Sequence, residues 1–463
     1  MENLKILLTV PMTRPEGNDL PSAENYPYVN DNGLGYVTAS CKDTGAEVTL
    51  YSWNNNFTSD EYREKLSSMN PDIVGVKVFT THFKRVINTL KIIRETLHDA
   101  VVVIGGPHVS TSKPEDLFVE FEGLIDYAIS GDGEEATRIF INEFREADKK
   151  KQQMDLKKIP GLIYREGELI RKNNPSLDRN LNDLSPIDWK LQQPVTFPGL
   201  VKKEGGEIAV YLEDSRGCPA HCSHCASYII SGSKTRKRTL SSLCSDIENL
   251  VDGFGVKHIV FTGNGLLSNK DYTIELCDWL IRSKKEISWL CTGAYYVEHL
   301  FDKKLVKLMS SAGCKEIWFG IESGNKEVRK ENRYDIPLEV YPEIIQNVVS
   351  SGISANSSFM FGLPYETRKA MADTIKFAYT LPFTSVNFCI CLPLPGTLSH
   401  KVVLDKYNIS RIDWSNFDFS NPDMLPCHAT ISDVNRYLIT SRIFERSGMA
   451  RRLAKAVSPY KWT

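Results

Sequence analysis

Three cysteines at the spacing CxxxCxxC, Cys218, Cys222 and Cys225, close the run Asp214-Ser215-Arg216-Gly217-Cys218-Pro219-Ala220-His221-Cys222-Ser223-His224-Cys225. Thiolates are soft donors that suit zinc or iron-sulfur clusters. In a chain whose first residues carry no secretory pattern, thiols are expected to stay reduced, so a metal centre is preferred to a disulfide frame. A structural zinc site usually takes four protein ligands, whereas three leave a corner where a small molecule binds. The run follows an apolar, strand-like stretch, Glu207 to Leu212. The cysteines therefore belong on a loop at the carboxyl end of a strand, where α/β barrels keep their active sites. His221 and His224 keep zinc open as an alternative, because imidazole is also a good zinc ligand.

The elements that must position this loop follow from periodicity. Residues 205–398 predict strands at Ile208 to Leu212, His258 to Thr262, Ser288 to Cys291, Glu316 to Ile321, Ala355 to Phe361 and Val386 to Ile390, with helices between them. Six βα units suggest a partial (β/α)6 barrel. Residues 1–150 alternate strands at Lys5 to Val10, Glu47 to Tyr51, Ile73 to Phe79, Val101 to Gly105 and Tyr127 to Gly131 with helices, the pattern of a doubly wound parallel sheet. Such sheets bind ligands beyond the carboxyl ends of their strands. Three loops there stand out: Phe79-Thr80-Thr81-His82, Gly105-Gly106-Pro107-His108 and Ser130-Gly131-Asp132-Gly133-Glu134. Their glycines permit close backbone approach to a bulky ligand, or simply tight turns into helices. Residues 151–204 read as a linker with a small strand pair, Gly161 to Arg165 and Glu168 to Arg171. Residues 399–463 lose the βα rhythm and end in a helix from Ser432 to Val457.

At 463 residues the chain exceeds one hydrophobic core, so two or three domains are expected. A net charge of -2 argues against broad attraction to nucleic acid or an anionic membrane. With no apolar run of membrane-spanning length and no cleavage-site pattern after Met1, the expectation is a cytoplasmic enzyme with a small-molecule substrate. Eight cysteines lie outside the cluster run and read as small buried hydrophobes, with Cys389 and Cys391 the ones to watch. The basic stretch Lys234 to Arg238 reads as a solvated loop, or as a face toward phosphate or a protein electron donor.

CxxxCxxC after a strand resembles the signature of the radical S-adenosylmethionine (SAM) enzymes. The order VVVIGGPH, IDYAISGDGEE and then CxxxCxxC is similar to their cobalamin-binding subgroup. The resemblance implies an N-terminal Rossmann-like cobalamin-binding domain, a linker or bridge, a six-unit partial barrel and a mostly helical C-terminal region closing the site. It implies a 4Fe-4S cluster on Cys218, Cys222 and Cys225, with SAM at the open iron and His224 beside the adenine. Thr262-Gly263-Asn264-Gly265 takes the place of the family's GGE motif and lacks its glutamate. Glu322 and Ser323 in GIESG, Ser357, and Pro393 in PLPGT match strand-end positions that line SAM. Cobalamin contacts would come from Thr80, Thr81, Gly105, Gly106, Pro107, His108, Gly131, Asp132 and Gly133. The DxHxxG element, by which other cobalamin domains offer a histidine to cobalt, is missing after the first strand, where Pro11 to Gly17 stands instead.

The activity so implied is methylation of an unactivated carbon of a small metabolite or natural-product precursor, through a 5'-deoxyadenosyl radical and methylcobalamin. Flavodoxin or ferredoxin would serve as electron donor. A second reading keeps both cofactors but performs ring contraction, cyclisation or another redox rearrangement. A third is a non-catalytic metal-binding or regulatory protein. No single residue is singled out as a proton or hydrogen-atom donor.

Overall fold

Runs rich in Val and Ile, broken by capped helices, build two parallel sheets. In a computed structural model of the protein, residues 4–11, 30–52, 57–177, 179–192, 195–197, 207–293, 296–417 and 422–447 are described. The first sheet contains β1 (Lys5–Thr9), β2 (Glu47–Tyr51), β3 (Ile73–Lys77), β4 (Val101–Gly105), β5 (Tyr127–Ile129), β6 (Leu162–Glu166) and β7 (Leu169–Lys172), in the order β2-β1-β3-β4-β5-β6-β7. β1 to β5 are parallel neighbours, whereas β6 and β7 run antiparallel at the edge. The segment expected to be a linker therefore extends the first sheet, because Leu162 and Ile163 have nowhere drier to go than beside β5. The loop Met12 to Gly17 falls outside the described residues.

The second sheet contains β8 (Val195–Phe197) and β9 (Glu207–Leu212). Between β9 and the next core strand stands a hairpin of β10 (Ser215–Arg216) and β11 (Arg236–Lys237). The sheet continues with β12 (His258–Phe261), β13 (Ser288–Thr292), β14 (Cys314–Glu322), β15 (Ser354–Phe361) and β16 (Ser385–Ile390), in the order β16-β15-β14-β13-β12-β9-β8. Six strands are parallel, the number expected, and β8 adds an antiparallel edge. Helix boundaries follow local chemistry. Thr239 accepts from the Ser242 N–H to start the helix Leu240–Phe254, and Gly255 in the left-handed region ends it.

Each sheet has its own apolar core. Among its described residues the C-terminal region divides between the two cores. Val403, Ile412, Trp414 and Phe417 are buried in the core of the first sheet, while the helix Ile431–Ser447 packs on β15, β16 and the helix Arg368–Thr380. The tail is thus a strap across both halves. Burying a side chain the size of Val or Leu contributes about 1.5–3 kcal/mol, so four buried anchors are enough to hold it.

Candidate active site between the two sheets

The cysteine-bearing segment is a loop with a narrow neck. Ser215 and Arg216 pair antiparallel with Lys237 and Arg236, and the Cys218 N–H donates to the Gly232 carbonyl at 3.1 Å. At Gly217 the backbone has φ of 82°, and a Cβ there would run into the Lys234 carbonyl, so glycine is required. Inside the loop the thiols lie within electrostatic reach of one another. Burial pushes the Cys222 thiol up to about 12, reinforced by Cys225, Glu322 and Cys218. Burial also raises Cys218, with Cys225 adding to it. Ser227 lies at 3.2 Å from Cys225 Sγ through its hydroxyl, and its N–H donates to that sulfur at 3.5 Å.

The two histidines of the run have other partners. The His221 ring lies 4.4 Å from that of Tyr228. His224 Nδ1 is 2.7 Å from the Tyr334 hydroxyl, and burial lowers its pKa to about 4. Among the described residues no three His, Cys, Asp or Glu side chains converge on one point where a single metal ion would sit.

Above the loop, at the carboxyl end of β14, Glu322 is held at φ of 65° and its Oε2 is buried with no hydrogen-bond partner among the described residues. Burial raises its carboxyl to about 7, against the pull of Arg329. Its charge acts on Cys222, Cys389 and Tyr334, which places these groups at one mouth. The other expected SAM contacts divide. Gly263 donates its N–H to Asp214 Oδ1 at 2.9 Å, so its turn is pinned by a carboxylate that sequence reasoning passed over; Asn264 is partly exposed beside it. Ser323 and Ser357 are buried and spend their hydroxyls on Thr374 (3.2 Å) and the Phe319 carbonyl (3.0 Å). Pro393 is buried in the turn after β16.

In the first domain a cavity of about 280 Å³ opens between the sheet and the helices Asn32–Asp43 and Gly133–Lys150. Ile6, Leu8, Val76, Ile104, Phe140 and Ile141 form its apolar depth. Gly33, Gly75, Gly105, Gly106, Pro107, Gly131 and Gly133 open its wall. Side chains at several of these glycines would fill it or strain the backbone: Gly106 has φ of 100°, with Val78 backbone atoms about where a Cβ would press. The mouth is polar, with Lys77, Asp132, Glu134 and Glu213, and it is completed by Arg216, Ile230 and Ser231 of the cysteine loop.

Thr80, Thr81 and His108 are not part of this wall. His108 is fully buried, with Nδ1 at 2.9 Å from Thr80 Oγ1 and Nε2 at 3.0 Å from Glu120 Oε2, and Phe83, Phe121 and Trp414 pack on its ring. It anchors the C-terminal strap. Thr81 is exposed and bonds His82. The basic stretch is also not solvated throughout. Arg236 is buried on Asp132 at 2.8 Å and Arg238 on Asp246 at 2.7 Å. A buried guanidinium needs a carboxylate, and the sequence offers no sign of which one.

Two family models match this chain: the radical SAM superfamily over residues 212–378 and the B12 binding domain over residues 23–141. The chain thus carries a radical SAM domain and a B12 binding domain together. It is 26% identical over 439 residues to an uncharacterized methyltransferase of Pyrococcus horikoshii, covering 95% of this chain and 91% of that one. It is 24% identical to the anaerobic magnesium-protoporphyrin IX monomethyl ester cyclase of Rubrivivax gelatinosus, covering 85% and 69%. The fold is similar to that of the radical SAM methyltransferase TsrM of Kitasatospora setae, solved with cobalamin and a [4Fe-4S] cluster, at TM-score 0.66 and 19% identity over 89% of this chain and 76% of that one.

The residues of this chain fit the cofactors that these two domains imply. Burial, with neighbouring thiols adding to it, keeps Cys218 and Cys222 protonated in the absence of a cation, and a bound metal displaces such protons. Three cysteines on one loop are the number that leaves one iron of a four-iron cube free for a small molecule. The unpartnered Glu322 oxygen faces the same space. The glycine-walled cavity lies where the B12 binding match falls, at the carboxyl ends of β3, β4 and β5. Among the described residues no helix is long and apolar enough to cross a membrane.

Proposed function

We propose that this enzyme methylates a carbon atom of a small molecule held between the cavity mouth and the barrel mouth. One observation supports it above the others: Arg216, Ile230 and Ser231, from the loop that carries the cysteines, complete the wall of the first-domain cavity. The two cofactor sites share a partition, as a methyl group passing from one side to a carbon activated on the other requires. When bound, the cluster would supply one-electron cleavage of a sulfonium carbon-sulfur bond and the corrinoid a transferable methyl group.

The chain's own residues bind, shield and orient. Cys218, Cys222 and Cys225 would hold the cluster. Glu322, ionised beside a cation, would accept from the ammonium or ribose hydroxyls of SAM; an adjacent positive charge lowers a carboxyl that burial has raised to about 7. Gly105, Gly106, Gly131 and Gly133 let a broad flat ligand approach the backbone, and the apolar depth of the cavity keeps water out.

Identity to the cyclase from Rubrivivax gelatinosus favours one other reading, rearrangement without methyl transfer. Anaerobic turnover with methyl-deuterated SAM, on candidate small molecules, separates the two. Label in the product and 5'-deoxyadenosine together support methylation. Unlabelled product with 5'-deoxyadenosine supports rearrangement, and no 5'-deoxyadenosine under reducing conditions overturns both.

A further inference from the structure

The partition between the sites is held by a buried ion cluster that neither cofactor explains. Arg216 donates to Glu134 Oε1 at 2.6 Å and to Glu213 Oε1 at 2.7 Å, and approaches Asp132 Oδ1 at 3.4 Å, with its guanidinium over the Tyr36 ring. Arg236, its cross-strand partner in the β10-β11 neck, holds the other oxygen of Asp132 at 2.8 Å and donates to the Ser231 and Arg179 carbonyls. Both guanidiniums and the carboxylates Asp132 and Glu134 are under one tenth exposed. Asp132 stands at the N-cap of the helix Gly133–Lys150 and Glu134 lies in its first turn, both at the cavity mouth, whereas both arginines belong to the neck of the cysteine loop.

We propose that this neck is a positioning device that couples occupancy of the first-domain cavity to the placement of the cluster-bearing loop. The proposal rests on the two-cofactor reading. Ser231, which accepts from Arg236, lies on the cavity wall, and the next residue, Gly232, accepts the Cys218 N–H through its carbonyl. A ligand that orders the cavity mouth fixes Asp132 and Ser231, and through Arg236 it fixes the strand from which the first cysteine hangs. Buried guanidinium-carboxylate pairs of this kind tolerate one geometry, since a displaced partner leaves a charge buried alone. Coupling of this kind is reciprocal: loading the cluster must tighten corrinoid binding by the same factor by which corrinoid tightens the cluster. Arg216 and Arg236 are positioning residues here; neither needs to touch a reacting atom.

The test is a titration of the full chain with hydroxocobalamin, followed by corrin absorbance, on cluster-loaded and chelator-stripped protein under anaerobic conditions. Wild type is expected to bind at least about fivefold more tightly when loaded. In R236M, whose side chain does not line the cavity, the two affinities should fall within about twofold of each other, and R236K should recover part of the difference. A merely structural loss would weaken both forms alike and leave the ratio unchanged. Equal affinities in wild type, or an undiminished ratio in R236M, overturn the proposal. If R236M fails to fold, D132N is read by the same ratio. Absence of corrinoid uptake by either wild-type form would instead count against the two-cofactor reading itself.

Discussion

Around the first-domain cavity every buried carboxylate has a guanidinium: Asp132, Glu134 and Glu213 share Arg216 and Arg236. At the barrel mouth two carboxylates each keep one buried oxygen without a hydrogen-bond partner among the described residues, Glu322 Oε2 and Glu366 Oε1. The titration contrast is carried by Glu134, since burial still raises Glu213 despite Arg216. Burial works against ionising Glu134, but Arg216 outweighs it and the carboxyl sits below its ordinary range. Burial raises Glu322 to about 7 and Glu366 to about 8 with too little to oppose it. The first region is a finished shape awaiting an apolar, shape-matched ligand. The second stores unpaired polarity, which costs free energy until a ligand satisfies it.

The largest effect that would sharpen this contrast is at the thiols. C222S should abolish iron uptake and the absorbance near 400 nm, and with them SAM cleavage, by a factor of 10³ or more. Corrinoid should still bind, more weakly by only the coupling factor. Loss of both cofactors at once would show that the regions are not separable as drawn. Next in size is the strap. Trp414 is buried against His108, His400 and Phe417, so W414A should cost about 3–5 kcal/mol in denaturant unfolding, with iron content per folded chain unchanged. Loss of iron at normal stability would place the strap in the site rather than behind it.

Most strand positions were legible because Val- and Ile-rich runs have one use in an α/β protein. β2 and β4 match the expected residues, and β14 exceeds its expected span by residues at both ends. The cysteine loop was legible too, since a metal motif is local. The ion cluster was not. Arg216 stands within the quoted run, yet its partners Asp132 and Glu134 lie more than 80 residues away, and pattern carries no information about long-range pairing. His108 misled for the same reason: a histidine after a strand in a glycine-rich loop suggests a ligand site, and only packing shows Glu120 and Trp414 claiming it. Glu366 did leave a local trace, a carboxylate four residues after Gly362 whose Oε2 accepts that residue's N–H at 2.7 Å. A loop turned back on its own backbone by an acid is detectable in sequence as glycine and proline followed by glutamate.

A smaller effect concerns the cavity itself. Val37, on the helix Asn32–Asp43, lines it without any special backbone geometry. V37W should fill part of the volume and weaken hydroxocobalamin binding more than tenfold, about 1.4 kcal/mol, while iron content and thermal stability hold. Unchanged affinity would move the corrinoid elsewhere and remove the finished-shape half of the comparison.

The smallest effect tests the other half. A Glu366 carboxyl raised to about 8 by burial means that the native state holds a proton which the unfolded chain gives up near its ordinary 4.5. Stability contributed by the neutral form is complete below that lower value and is lost as pH rises toward about 8, at up to about 1.4 kcal/mol per pH unit. In E366Q the group cannot ionise, while its carbonyl oxygen still accepts from the Gly362 and Leu363 N–H groups. Wild type and variant should therefore unfold at similar temperatures near pH 5, and the variant should gain on wild type by about 1 kcal/mol as pH is raised from 6.5 to 7.5. All other titrating groups are common to the two proteins, so the difference isolates this carboxyl. Parallel pH profiles would mean that Glu366 ionises normally, and the barrel mouth would then hold its acids no differently from the cavity mouth.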